Sequence, residues 1–162
     1  MLRFACALAA TAVAAAYDNG VTWAAKPPRG WSSWCTDDIC GLIDYCDEAE
    51  VLSVADAMVS QNLLALNYSL LLLDDCWASV DRDQNGDLMP DPARFPSGID
   101  HLVSEVHARG LYLGLYTCAG ERTCKNNRTG SGGHYEADAN WFARHDVDYV
   151  KVRACGRCCV CG

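Results

Sequence analysis

The chain has 162 residues, enough to bury the core of one domain. Its 13 Lys and Arg face 21 Asp and Glu, giving a formal net charge of −8, and so acidic a chain repels the phosphates of nucleic acid. No stretch is both long and uncharged enough to span a bilayer. We therefore expect neither a nucleic-acid partner nor a membrane span.

The first 16 residues have the pattern of a secretory signal peptide. Arg3 precedes an apolar run that extends from Phe4 to Ala16, where small residues favour cleavage. A buried N-terminal helix is the alternative. We predict a leader over 1–16, a mature chain over 17–162, and delivery outside the cell or to a lysosome- or vacuole-like compartment. Ten of the 11 cysteines remain after cleavage, and in an oxidising compartment they are expected to form disulfides.

Strand and helix patterns then alternate along the chain. A first strand is expected within 27–34, and Asp47 with Glu50 three residues later predicts the start of a helix. Five apolar residues fall on one face of that helix: Val51, Val54, Ala55, Met58 and Val59. Asn67 follows the helix, at a position where a left-handed residue is wanted. Residues 68–75 form a short apolar run typical of a buried strand.

The same pattern repeats twice more. A helix is predicted within 95–110, ending at Gly110, and a buried strand follows over 111–116. A third helix is predicted over 135–147 and a fourth strand over 148–152. Right-handed crossovers between such units, of roughly 30–40 residues each, require a parallel sheet with helices outside. The fold class is therefore α/β, either a doubly wound sheet or part of a barrel.

Polar and aromatic residues follow the carboxyl ends of the predicted strands, where parallel α/β proteins place their sites. Carboxylates beside tryptophans suit a sugar, because acceptors hold its hydroxyls and an indole covers its apolar ring face. A helix cap or a solvated turn would explain the two aspartates equally well if they stood alone. The residues at these strand ends are Trp31, Trp34, Asp74, Asp75, Tyr116, Lys151 and Arg153.

Signals for metal binding are weak. Residues 81–92 begin like a calcium loop, but Pro92 stands where a bidentate glutamate is required, so a turn at Asn85-Gly86 is expected instead. The four histidines show no metal spacing. Four cysteines near the end of the sequence leave open a cysteine-rich metal or redox protein: Cys155, Cys158, Cys159 and Cys161. We expect no metal and no cofactor.

Two sequons are candidates for N-glycosylation. Asn127 lies in a polar, glycine-rich loop, and we expect it to be used. Asn67 adjoins an apolar strand, and we expect it to be buried and unused.

Several ordered motifs together resemble the secreted α-galactosidases of glycoside hydrolase family 27. They are "PPRGWSSW", "LLLDDCWASVDRDQNGDLMPDPARFPSGI", "VHARGLYLGLYTCAG" and "DVDYVKV", within residues 26–152. The resemblance implies the first half of a TIM (β/α)₈ barrel. The family continues through four more strands and a small β domain that this sequence does not contain, so the sequence is expected to be incomplete.

The resemblance also implies roles for particular residues. The galactose pocket would be lined by Trp31, Asp74, Asp75, Tyr116 and Lys151, with the two aspartates taking the hydroxyls of the sugar. Cys124 and Cys155 match a family disulfide beside this pocket. Cys76 is expected to pair with Cys35, Cys40 or Cys46, and we favour Cys40.

The catalytic residues depart from the family pattern. The family hydrolyses terminal α-galactosides with retention, using two carboxyl groups about 5–5.5 Å apart. Its nucleophile is the aspartate of Lys-x-Asp-x-Cys, and Arg153 occupies that position here. A guanidinium stays protonated and has no lone pair to offer. The acid/base position lies beyond residue 162, so we expect the chain as written to be inactive.

The resemblance implies that the partners are oligosaccharides or glycoconjugates with terminal α-galactosyl groups. A homodimer is also expected, because dimers are common in the family. The residues do not discriminate galactose from N-acetylgalactosamine. A non-catalytic galactoside-binding pseudoenzyme is the first alternative, because the sugar-holding aspartates persist without the nucleophile.

Overall fold

The computed structural model describes residues 27–34, 36 and 45–154. The predicted leader and the cluster of cysteines from Cys155 to Cys161 lie outside these residues. The elements in chain order are β1 (Gly30–Ser32), α1 (Glu48–Ser60), a 3₁₀ segment (Leu63–Leu66), β2 (Leu70–Leu73), α2 (Gly98–Ala108), β3 (Tyr112–Cys118), α3 (Tyr135–Arg144) and β4 (Tyr149–Arg153). Within the described ranges, no helix has the length and apolar character needed to cross a membrane.

Helix α1 begins where the sequence predicts. The Asp47 carboxylate accepts the Glu50 N–H at 2.9 Å, which satisfies one of the unpaired donors of the first turn. Val51, Ala55 and Met58 are buried on the inner face, whereas Val59 is 44% exposed, so its predicted place on that face is wrong. Val59 lies in the last turn of the helix, where its side chain points away from the core.

The four strands form one parallel sheet in the order β1-β2-β3-β4. This confirms the predicted α/β class and the sequential order of the strands. Each connection carries a helical segment, as parallel neighbours require. Gly114 in β3 permits close packing on the sheet face away from the helices, since a Cβ there would come within 2.9 Å of Leu72.

The core lies between the helices and one face of the sheet. Leu71 and Leu73 of β2 and Leu113 and Leu115 of β3 are fully buried there. From the helices, this core receives Val51, Ala55, Met58, Ile99, Leu102, Val103, Val106, Trp141 and Phe142. Because side chains alternate along a strand, the residues between these leucines point to the opposite face.

The loop over 78–90 folds back on itself, as expected for the turn at Asn85-Gly86. Ala78 and Pro90 form an antiparallel bridge, and the Gly86 N–H donates to the Asp83 carbonyl at 3.0 Å. The Asp83 carboxylate accepts the N–H groups of Asn85 and Asp87, each at 2.8 Å, so this acidic side chain stabilises the turn.

Two expectations are corrected by the structure. Cys76 pairs with Cys46, with their Cα atoms 6.1 Å apart, and not with Cys40, which lies outside the described residues. Cys46 directly precedes the N-cap residue of α1, so this disulfide joins the start of α1 to the segment that follows β2. Asn67 is exposed, not buried, because it closes the 3₁₀ segment at the surface with a left-handed φ of 61°. That left-handed conformation is the one predicted for it.

Candidate active site

Asp74 and Lys151 meet at the carboxyl edge of the sheet. Asp74 follows β2, is 2% exposed, and its Oδ2 atom contacts the Lys151 ammonium of β4. Its Oδ1 atom accepts the Asp75 N–H at 3.0 Å, and its own N–H donates to the Ser33 hydroxyl at 2.9 Å. Both carboxylate oxygens are therefore occupied, and Asp74 links the ends of β1, β2 and β4 through its backbone and its side chain.

Asp75 is held by a different segment of the chain. Its Oδ2 atom accepts the N–H groups of Lys125 at 2.6 Å and Asn126 at 3.3 Å, and the Asn126 side-chain amide donates to the Asp75 carbonyl. Asp75 is 4% exposed, and its Oδ1 atom has no hydrogen-bond partner within the described part of the chain. A buried carboxylate oxygen without a donor is costly, so a ligand hydroxyl at this atom would be stabilising.

Tyr116 lies beside these carboxylates on β3, level with Lys151 of β4. Its hydroxyl donates to the Cys124 sulfur at 3.3 Å. Burial, followed by the negative charge of Asp75, raises the pKa of Tyr116 to about 12. The phenol therefore remains a neutral hydrogen-bonding group at physiological pH. Cys124 is itself disulfide-bonded, whereas its expected partner Cys155 lies outside the described residues.

An indole lies over the cationic side of this group. The ring centroid of Trp34 is 5.3 Å from the Lys151 ammonium and 5.8 Å from that of Lys125, within the range of cation–π attraction. Trp34 is 41% exposed, so much of its ring remains open to a ligand. Lys151 also lies 5.5 Å from the ring centroid of Tyr116.

Trp31 does not join this group, which corrects its predicted place in the pocket. It pairs with Leu71, packs against the hydrophobic core, and makes an edge contact with Tyr45 at 5.8 Å. Trp31 therefore lies on the helix-facing side of the sheet. Trp34, three residues later, is on the side of Asp74.

Arg153 occupies the last position of β4, paired with Cys118 of β3. Its carbonyl accepts the Ala119 N–H at 2.9 Å, and the residue is exposed. Lys151 and Arg153 are two residues apart on one strand, so their side chains leave the sheet on the same face. At position 153, where the family pattern has its nucleophile, this face therefore carries a guanidinium in place of a carboxylate.

The loop that carries Lys125 and Asn126 also presents the expected glycosylation residue. Asn127 is exposed, with a left-handed φ of 51°. Thr129 of the same sequon is buried, and its hydroxyl donates to the Val80 carbonyl at 2.9 Å. Among residues 27–34, 36 and 45–154, no group of three or more His, Cys, Asp or Glu side chains is arranged to hold a metal ion.

The structure thus unites four residues that were expected to line one pocket: Asp74, Asp75, Tyr116 and Lys151. The backbone N–H donors of Lys125 and Asn126 were not predicted, because a backbone donor leaves no pattern in the side chains of the sequence. Trp34 was predicted to lie at a strand end. Because it is three residues from Trp31, only one of the two tryptophans can face the site.

Carboxylates, a lysine and an indole thus meet at the carboxyl ends of parallel strands, where parallel α/β proteins place their sites. The chain belongs to the alpha galactosidase A family, whose profile matches residues 26–159. The resemblance inferred from the motifs is thereby confirmed.

Individual relatives agree with this assignment. The chain is 48% identical over 129 residues to an alpha-galactosidase of Coffea arabica, a match that covers 80% of this chain and 33% of the relative. The crystal structure of alpha-galactosidase I from Mortierella vinacea superposes with a TM-score of 0.73 and 35% identity, covering 80% of this chain and 31% of that one. An alpha-galactosidase of Saccharomyces cerevisiae solved with raffinose gives 0.72 and 38%, covering 80% and 27%.

The chain therefore spans about a third of the length of the curated relatives that it matches. Its four parallel strands and their helices correspond to part of the barrel in the matched structures. This agrees with the expected first half of a TIM barrel.

Proposed function

We propose that this chain supplies the sugar-holding strand ends of an alpha-galactosidase-type glycoside hydrolase. The observation that carries the proposal is the buried, unpartnered Oδ1 atom of Asp75, next to an open indole and the paired Asp74 and Lys151. The acceptor suits a sugar hydroxyl, and the Trp34 ring suits the apolar face of a pyranose. The yeast relative with bound raffinose supports a galactoside ligand.

We further propose that the chain with arginine at 153 does not catalyse hydrolysis. A retaining mechanism needs a carboxylate that attacks the anomeric carbon. Arg153 cannot attack, and its positive charge would oppose the oxocarbenium-like charge of the transition state. The chain is therefore expected to bind a galactoside without cleaving it.

Calorimetry on the purified chain tests the binding site. We expect galactose to bind and glucose, which differs in the orientation of one hydroxyl, to bind at least about tenfold more weakly, since a misplaced hydroxyl leaves a buried acceptor unpaired. Asp75→Asn should weaken galactose binding by a similar factor. Asp56→Asn, on an exposed carboxylate of α1 paired with Arg109, is the matched control and should leave binding unchanged.

Equal binding of the two sugars, or equal affinity of Asp75→Asn and the unaltered chain, would contradict the site. Release of nitrophenol from a nitrophenyl α-galactoside by the chain would contradict the proposed loss of turnover. Stoichiometric zinc in the purified chain would instead favour the alternative of a cysteine-rich metal protein.

The remaining proposals concern processing and assembly. We propose a leader over 1–16 that directs the chain to the secretory route or a vacuole-like compartment, to be tested by N-terminal sequencing of the exported chain. The exposed Asn127 is the proposed glycosylation site, tested by the mass lost on enzymatic deglycosylation. A homodimer is proposed by family resemblance, and sedimentation would test it.

A further inference from the structure

The charge balance at the strand ends is unusual for so acidic a chain. Among the described residues, the cations Lys125, Lys151 and Arg153 outnumber the carboxylates Asp74 and Asp75 by one, in a chain of net charge −8. With an aspartate at 153, as in the family pattern, the carboxylates would instead outnumber the cations by one. The arginine therefore reverses the sign of the group.

Register places Arg153 at the opening of this group. Lys151 pairs with Tyr116 and Arg153 with Cys118, one step farther toward the carboxyl edge on the same face. Two residues of strand carry Arg153 about 7 Å beyond Lys151. The Cα atom of Arg153 therefore lies on the outer side of the Asp74–Lys151 pair.

The two cations of β4 differ in what they contact. The Lys151 ammonium is already paired with Asp74 and lies near the rings of Trp34 and Tyr116. Arg153 is exposed, and in the described part of the chain its guanidinium is paired with no carboxylate. A guanidinium presents a planar fork of donors that matches a carboxylate or a phosphate. The site therefore offers acceptors for hydroxyls and, at its rim, an unused fork for an anion.

We propose that the site binds an anionic galactose derivative in preference to neutral galactose. The hydroxyls of the sugar meet Asp75 and its neighbours, and the carboxylate or phosphate of the ligand meets Arg153. This inference rests on the proposed sugar site and adds the chemical class of its ligand.

Binding of three sugars to the full chain at low salt tests the inference: galactose, galacturonate and galactose 1-phosphate. A charge-assisted hydrogen bond predicts that at least one anionic sugar binds about tenfold more tightly than galactose, and whichever of the two binds tighter identifies the carboxylate or the phosphate as the preferred anion. Arg153→Gln should abolish this preference while galactose binding remains. Arg153→Lys should retain part of it, because the charge persists without the fork.

Arg144→Gln is the matched control, since it removes the same charge from an exposed residue of α3 paired with Asp87. It should leave the preference intact. Added salt should reduce the preference of the unaltered chain, because the anion contact is exposed.

Two failures are distinguishable. Galactose binding without any advantage for an anionic sugar, or an advantage that survives Arg153→Gln, overturns this inference and leaves the sugar site standing. Absence of binding by all three sugars overturns the sugar site itself, and this inference with it.

Discussion

Asp74 and Asp75 are neighbours in sequence but have different environments. Asp74 uses both carboxylate oxygens within the protein, one on Lys151 and one on the Asp75 N–H. Asp75 uses one oxygen on backbone donors of a distant loop and leaves the other unpaired within the described residues. Asp74 therefore organises the site, whereas Asp75 is the residue with a free acceptor for a ligand.

The pKa of Tyr116 predicts a dependence of stability on alkaline pH. Burial and the charge of Asp75 raise it from 10.0 to about 12, so the folded chain holds this proton more tightly than the unfolded chain. The resulting stability is complete below pH 10 and is lost as the pH rises toward 12. The Tyr116→Phe variant should therefore lose less of its free energy of unfolding than the unaltered chain as the pH rises from 10.0 to about 12. Urea unfolding at several pH values measures this difference.

The control for this measurement is Tyr112→Phe, which alters a tyrosine that is 53% exposed. It should follow the alkaline loss of the unaltered chain. If Tyr116→Phe also followed that loss, the raised pKa of Tyr116 would be refuted.

At the scale of elements, the ends of α1 and α2 show how local signals determine boundaries. Asp47 caps α1 through the Glu50 N–H, and Gly110 follows the end of α2 with a φ of 75°. Glycine, which has no Cβ, adopts that left-handed conformation at the least cost. Both boundaries were predicted because each depends on residues within a few positions along the chain.

Replacing the cap tests its contribution to α1. Asp47→Ala should lower the free energy of unfolding by about 1 kcal/mol, because the Glu50 N–H loses its acceptor. Asp47→Ser keeps an acceptor oxygen and should recover most of the loss, as measured by urea unfolding. Ser53→Ala, at an exposed position of the same helix, should change stability by less than about 0.5 kcal/mol. Equal stability of Asp47→Ala and Asp47→Ser would show that the contact contributes nothing.

Glycines allow the loop behind Asp75 to pack closely. A Cβ on Gly130 would lie 2.1 Å from the Gly120 carbonyl oxygen, and one on Gly132 would lie 2.6 Å from the Glu121 nitrogen. The glycine-rich stretch over 130–133 thus has a packing role. It brings together the two ends of the loop whose Lys125 and Asn126 N–H groups hold Asp75.

At the scale of the whole molecule, one ion pair joins three segments that are far apart in sequence. Arg82 forms two hydrogen bonds to the Asp138 carboxylate, at 2.7 and 2.8 Å, and donates to the carbonyls of Gly86 and Gly130. The side chains are 14% and 3% exposed. The Arg82 guanidinium therefore links the loop over 78–90, the loop that carries Lys125 and Asn126, and helix α3.

Breaking this pair should be costly because it leaves a largely buried charge without its partner. Asp138→Ala is expected to lower the free energy of unfolding by about 3–5 kcal/mol, measured by urea unfolding. The double variant Arg82→Met, Asp138→Leu should recover much of the loss, since no charge then remains buried. Asp100→Ala, a 78% exposed carboxylate paired with His145, should cost less than about 1 kcal/mol. Similar losses for Asp138→Ala and Asp100→Ala would contradict a special role for the buried pair.

The order of elements, the parallel sheet and the edge that carries the site were all predictable from sequence. Helical periodicity, short apolar runs and capping residues are local patterns, and the handedness of crossovers converts their order into a topology. The choice between Trp31 and Trp34 was not predictable in this way. Their separation of three positions puts them on opposite sides of a short strand, and only packing against the core reveals which side is which.

The sequence by itself determined the family, the α/β class and the absence of a carboxylate at position 153, because each depends on residue identity and spacing alone. Tertiary structure decided that Cys46 pairs with Cys76, that Trp34 faces the site, and that one oxygen of Asp75 is left for a ligand. These features arise from contacts between residues at least 30 positions apart, such as Cys46 with Cys76, Asp75 with Lys125 and Trp34 with Lys151. Local preferences cannot specify such contacts, since they form only when the helices pack on one face of the sheet and bring the strand ends and loops together.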